Sequence, residues 1–199
     1  YNHIYEKGKV AYYTVENPSL DIQQEMAAFR WDLRTFLANN QWLFINARTP
    51  DLQRLAELSP QVFSDGATVP ISQSLNSLKT DLLAKIKEER WTALQLSHIL
   101  QSFDPREVTS LILYWKTAIR TYGGVHFAIL PHGVHEEKTV NALKHLVDGV
   151  FEFSMREGPR EFEGVMIIRK LRQVLGRPKI VPFTVIENGI AVETAARIA

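Results

Sequence analysis

The apolar residues of this chain follow two rhythms, one after the other. Val10 to Val15 is an apolar and aromatic run of strand length, the pattern of a strand buried on both faces. It stops at a polar tip, Glu16-Asn17-Pro18-Ser19. From Asp21 onward Ile22, Met26, Phe29 and Leu33 recur every three or four positions, which predicts an amphipathic helix. Trp42 to Ala47 reads as a second buried strand. Arg48 to Ser72 is polar and carries Pro60, Pro70 and Ser64-Asp65-Gly66, so it is expected as surface loop with one short helix over Asp51 to Leu58. Within Ser72 to Glu89, residues Leu75, Leu78, Leu82, Leu83 and Ile86 share one helical face, and Trp91 to Leu96 follows as a strand. Asp104 and Pro105 suit an N-cap and a first turn. They predict a helix from Pro105 to Arg120 with Val108, Leu111, Ile112, Trp115 and Ile119 inward, ended by Gly123-Gly124. Val125 to Leu130 is the next strand, and a helix is expected from Glu136 to Leu146.

The rhythm changes at Gly149. Gly149 to Phe153, Phe162 to Arg172, Ile180 to Ile186 and Ile190 to Glu193 read as strands joined by short turns, the last at Asn188-Gly189. Strands alternating with helices and then a run of hairpins predict an α/β fold. Its mostly parallel central sheet is flanked by helices and extended by an antiparallel edge of C-terminal hairpins. Tyr1 to Gly8 resembles the last turns of a helix closed by a glycine cap. With no initiator methionine before it, this start raises the expectation of further chain upstream.

Composition narrows the function. A chain of 199 residues with 45% hydrophobic content can bury one core, so residues 1–199 are expected to form a single domain. The 23 basic and 22 acidic residues leave a net charge of +1, which excludes a global polyanion binder. Locally, Arg156 to Lys179 holds seven basic and three acidic residues, so nucleic-acid contact stays open there, without aromatic interleaving to support it. Cysteine is absent, which removes disulfides and thiolate metal sites. No apolar run reaches the roughly 18 residues of a membrane span, and the expected location is the cytoplasm.

In open α/β sheets ligands gather beyond the carboxyl ends of the strands, so the tips after each strand are where chemistry is expected. Glu16 at the first tip suits a general base; its plainer reading is a capping or loop carboxylate beside Pro18. His98, directly after a strand, reads as a cleft or capping residue. His132, His135 and Glu136 sit past another strand end with His126 nearby, but not at the spacing of a zinc helix, and no metal is expected there. Trp31, Trp42, Trp91 and Trp115 lie on apolar faces and read as packing residues. Lys170 and Arg172 alternate onto one face of a strand, as a basic finger or as a solvated hairpin surface.

Several strings together are similar to the ATPase domain of the KaiC and archaeal RadA-paralogue group of the RecA superfamily. They are Glu16-Asn17 at a strand end, Phe29-Arg30-Trp31-Asp32 where the family has Phe-Gly-Trp-Asp after a helix, and Leu143 to Val150 with its Asp148-Gly149 junction. Lys170-Leu171-Arg172 and the closing hairpin at Pro182-Phe183 and Gly189-Ile190 complete the set. The resemblance implies a RecA-like fold and oligomers, often rings, or a protein partner. It implies Glu16 as the residue polarising an attacking water, and Lys170 and Arg172 as a finger reaching the γ-phosphate held by a neighbouring subunit. ATP and Mg²⁺ are implied as cofactors where a phosphate loop is present. Three positions depart from the pattern. These 199 residues contain no GxxxxGK[ST] loop. Gln95 stands at the metal-associated aspartate of the Walker B strand, where a neutral amide cannot replace a carboxylate. Leu130-Pro131 occupies the polar sensor position. Resemblance and departures together imply a degenerate, non-catalytic ATPase-fold protein serving as a regulatory or recombination-accessory assembly module. The alternative is an active ATP-binding ATPase whose phosphate loop lies upstream of Tyr1, with the missing first strand.

Overall fold

The computed structural model describes residues 2–15, 17–48, 67–70, 74–157, 162–174 and 179–192. Five strands form an all-parallel sheet in the order β3-β2-β1-β4-β5: β1 (Lys9–Thr14), β2 (Trp42–Arg48), β3 (Ala67–Pro70), β4 (Arg90–Gln95) and β5 (His126–Ile129). β1 is central because its side chains are apolar on both faces. Ala11, Tyr13 and Val15 face one helical layer, whereas Val10 and Tyr12 pack with the other.

The larger layer consists of α4 (Asn76–Lys87), α5 (Ser97–Ser102), α6 (Pro105–Tyr122) and α7 (Glu137–Leu146). α4 contributes Leu78, Leu82 and Ile86, and α6 contributes Val108, Leu111, Ile112 and Trp115, to one buried cluster. As expected, Asp104 caps α6, its carboxylate accepting from the Arg106 N–H at 2.7 Å, with Pro105 in the first turn. The smaller layer holds α1 (Asn2–Tyr5), α2 (Ser19–Ala28) and α3 (Arg34–Ala38), which close Ile4, Ile22 and Leu33 over Trp42 and Phe44.

The helix from Asp21 stops earlier than its apolar periodicity suggests. The Arg30 N–H bonds to the Ala27 carbonyl and the Trp31 N–H to the Met26 carbonyl, a Schellman closure with Arg30 left-handed at φ 58°. α1 closes in the same way with Lys7, not Gly8, in the left-handed position at φ 67°. Gly8 is required for space instead: a Cβ there would lie 2.2 Å from the imidazole of His3, whose ring stacks on Trp91 at 3.6 Å. Three elements were not expected. α3 lies between α2 and β2, α5 follows β4 directly, and β3 pairs with β2 inside the stretch read as surface loop, with Pro70 at the sheet margin. The expected helix over Asp51 to Leu58 lies outside the described residues.

The C-terminal hairpins form a sheet of their own rather than an edge of the first. β6 (Gly149–Glu157), β7 (Phe162–Leu171), β8 (Lys179–Ile186) and β9 (Gly189–Val192) pair antiparallel in sequence order. β6 satisfies one edge along its whole length on β7, and among the described residues β5 pairs with β4 alone. The β8–β9 turn of this sheet meets the segment that follows α2. Arg30 and Glu187 form an ion pair at 2.5 Å, and a Cβ on Gly189, at φ 121°, would lie 2.6 Å from the Trp31 ring. In the second sheet Gly164 lies beneath the Phe183 ring, which meets Phe153 edge-on. Phe151, Phe153 and Met155 point from the same face of β6, and each is about half exposed.

Candidate functional site

The carboxyl ends of β1, β2 and β4 converge on one side of the parallel sheet, the side where such folds place ligands. Glu16 itself lies outside the described residues; the positions flanking it are buried Val15 and exposed Asn17. Just before it, Thr14 donates its hydroxyl to the side-chain amide oxygen Oδ1 of Asn46 at 2.8 Å, and both residues are buried. Gln95, at the end of β4, occupies both ends of its amide: Oε1 accepts from the Val15 N–H at 3.3 Å, and Nε2 donates to the Tyr12 hydroxyl at 3.5 Å. Its side chain is thus a strut between β4 and β1. Burial pushes the Tyr12 phenol up, the Gln95 bond working against it. Tyr13, fully buried, donates to Asp81 of α4 at 2.6 Å, and burial together with that acceptor raises its phenol further.

On the neighbouring tip, Ser97 and His135 lie 2.8 Å apart, Oγ to Nε2, tying the end of β4 to the loop that enters α7. His98 beside it is half-buried, and its Nε2 has no hydrogen-bond partner among the described residues. His126 sits within β5. Its Nδ1 accepts from the Thr92 backbone N–H at 3.2 Å, so the ring proton is on Nε2, which donates to the Gly123 carbonyl at 3.0 Å. Burial holds its pKa below the ordinary histidine value, opposed by the Gly123 bond. His132, His135 and Glu136 do not gather: among the described residues no three such side chains could hold a metal ion. Leu130 packs against the main core. Of the tryptophans, Trp42 and Trp115 are buried, Trp91 carries the His3 stack and Trp31 meets the β8–β9 turn.

Lys170 and Arg172 lie apart from this cluster, at the end of β7. Lys170 donates to the carbonyls of Lys144 at 3.2 Å and His145 at 3.0 Å, the last turn of α7, where a cation offsets the helix dipole. Arg172 reaches Asp148 Oδ1 at 3.3 Å, and Lys116 reaches the same oxygen at 3.0 Å. Burial of Asp148 works against ionisation, but the two cations outweigh it and hold its carboxyl below the usual range. Glu152 similarly takes Lys144 at 2.6 Å and Arg169 at 2.7 Å, and those bonds lower its pKa. Asp148 as a shared acceptor, the Ser97–His135 pair and the Tyr13–Asp81 bond had no sequence signal, because each joins residues far apart in the chain.

A magnesium–nucleotide complex needs a carboxylate that can hold water around the ion and backbone donors that cradle phosphate. The described residues do not fit one: Gln95 is neutral and engaged at both ends, and the chain carries no glycine-rich phosphate loop. Among the described residues no helix is long and apolar enough to cross a membrane.

No curated protein sequence matches the chain. Solved structures do. The KaiC-like protein PH0186 of the hyperthermophilic archaeon Pyrococcus horikoshii is 17% identical, with a TM-score of 0.70 over 98% of this chain and 80% of that one. The flagellar accessory protein FlaH of Methanocaldococcus jannaschii is 14% identical, with a TM-score of 0.68 over 96% and 79%. At these identities the likeness is one of fold, a RecA-type α/β domain. The family description "ATPase: KaiC" matches residues 1–197, and the chain belongs to the KaiC family of ATPase domains within the RecA superfamily.

Proposed function

We propose that this chain is a degenerate KaiC-type domain, non-catalytic, that acts as a regulatory or recombination-accessory assembly module in the cytoplasm. The observation that carries this reading is the Gln95 amide. At the position where the family places a metal-associated carboxylate, this side chain braces β1 through the Val15 N–H and Tyr12. The polar groups beside it, Thr14 and Asn46, are bonded to each other. A site rebuilt as a brace has little left with which to hold an ion.

Open apolar surface supports the assembly role. The edge strand β5 and the residue before it expose Val125, Phe127 and Ile129 by 40–50%, and β6 exposes a second apolar face. A monomer gains nothing from leaving such residues in water, whereas an added strand or a neighbouring subunit would cover them. The domain is proposed to be completed by a further strand on β5, and the assembled form to be a homo-oligomer or a complex with a protein partner. In an oligomer, Lys170 and Arg172 would act as an anion-contacting finger.

The alternative is an active ATPase whose phosphate loop precedes Tyr1, with Glu16 polarising the attacking water. The test is phosphate release from ATP by the full-length protein, with and without Mg²⁺, alongside Glu16→Gln. We expect no Mg²⁺-dependent release. Turnover that is lost in Glu16→Gln would overturn the non-catalytic reading and establish the alternative.

A further inference from the structure

The end of β7 carries an unequal sharing of charge. Asp148 Oδ1 is shared by two cations: Lys116 from α6, 3.0 Å away and 22% exposed, and Arg172, 3.3 Å away and 52% exposed. Lys116 also donates to the Leu146 carbonyl at the end of α7. The lysine is therefore held by two acceptors in a sheltered position, and the arginine by the longer of two bonds to a shared oxygen. The backbone beneath is fixed: the Arg172 N–H donates to the Asp148 carbonyl at 2.8 Å. Release of the guanidinium thus leaves the strand end in place. It also leaves no orphaned charge, because Asp148 keeps Lys116. Beside it, an open cleft lined by Arg120, Gly124, Val125, Asp148, Arg172 and Gln173 gives the freed side chain room to swing.

We propose that Asp148 is a positioning residue that holds Arg172 folded back against the α7–β6 junction, and that a phosphate-class oxyanion arriving at the end of β7 takes Arg172 from it. The carboxylate and the oxyanion compete for one guanidinium, which offers either of them a planar, two-pronged donor edge. Lys116 is the counter-ion that makes the exchange cheap. Lys170, bonded to the two carbonyls at the end of α7, stands beside it and adds to the local field. This inference rests on the proposed role of Lys170 and Arg172 as an anion-contacting finger.

Two measurements separate the latch from that role. The first is ¹⁵N relaxation of the Arg172 guanidinium in the full-length protein. It should be ordered in the wild type and mobile in Asp148→Asn; equal mobility in both overturns the latch, whether or not any anion binds. The second is titration with inorganic pyrophosphate at fixed ionic strength. A half-exposed pair of this kind is worth about 0.2–1 kcal/mol, so Asp148→Asn should tighten binding about 1.5- to 5-fold. Glu152→Gln, which changes the net charge equally but pairs with Lys144 and Arg169 and not with Arg172, should tighten it less. The gain should vanish in Asp148→Asn/Arg172→Met. Equal gains in Asp148→Asn and Glu152→Gln would reduce the effect to net charge and overturn the proposal. A latch visible by relaxation in a protein that binds no pyrophosphate in any form would instead overturn the finger role, and with it the exchange.

Discussion

Removing the Gln95 side chain tests whether that residue is a brace. Val15 is 4% exposed, so its N–H cannot turn to water once the amide is gone, and Gln95 Oε1 at 3.3 Å is the acceptor that satisfies it. An unsatisfied buried backbone donor costs about 1–3 kcal/mol. With a bond of this length, about 1–2 kcal/mol is expected for Gln95→Ala, a shift of roughly 5- to 30-fold in the folded-to-unfolded ratio. Gln95→Glu separates bonding from charge. The carboxylate still accepts from Val15, and the Tyr12 hydroxyl can reverse from acceptor to donor, so at neutral pH its cost should stay below that of Gln95→Ala. Gln95→Asp is one methylene shorter and cannot span to both partners, so it should resemble Ala. Urea unfolding of the four proteins reads all of this from midpoints at constant slope. If Gln95→Ala unfolds within about 0.5 kcal/mol of wild type, or if Glu is as damaging as Ala, the brace is refuted and the position is free to serve chemistry.

Three other perturbations probe the scaffold. Gly8→Ala should destabilise by about 1–3 kcal/mol, because the new Cβ meets His3 at 2.2 Å and Trp91 blocks the ring's retreat; in a His3→Ala background the cost should disappear, and its persistence in thermal melts would mean a backbone cause. Arg30→Gly relieves a left-handed residue that costs roughly 1–2 kcal/mol, and against this it loses only an exposed ion pair and loosens the unfolded chain. Its melting temperature should therefore hold or rise, and a clear fall would give the Arg30–Glu187 contact a larger part in joining the sheets. His126 is kept neutral in the fold, so the unfolded chain takes up its proton first. Its contribution is fully present above the unfolded value near pH 6.5 and is lost as pH falls through that value toward the lower folded one. Stability measured from pH 8 to 5 should drop, and the drop should shrink in His126→Asn.

What the sequence disclosed was whatever a single segment decides for itself. The apolar run and length of Val10 to Val15, the periodicity of Leu78, Leu82 and Ile86, the Asp104-Pro105 start and the Asn188-Gly189 turn each carry their own physical reason, and each element formed. Helix ends were less legible because their usual marker is absent. Lys7, Arg30 and Asn40 all take the left-handed closing position without being glycine, and only the hydrogen bonds of the neighbouring turn reveal it. β3 was hidden because a four-residue strand ending in Pro70 has too little pattern of its own; it is a strand because β2 offers it an edge. The candidate site was half visible for the same reason. Gln95 could be picked out as a departure from a family pattern, but that its amide spans to Val15 and Tyr12 depends on a register between β1 and β4, 80 residues apart in the chain. The same holds for Asp148. Its place before Gly149 marked a helix-to-strand junction, while its use as a shared acceptor depends on α6 and β7 arriving from either side. Gln95 and Asp148 therefore differ in kind: the neutral amide ties β4 to β1 through Tyr12 and the Val15 N–H, whereas the carboxylate divides one oxygen between Lys116 and Arg172.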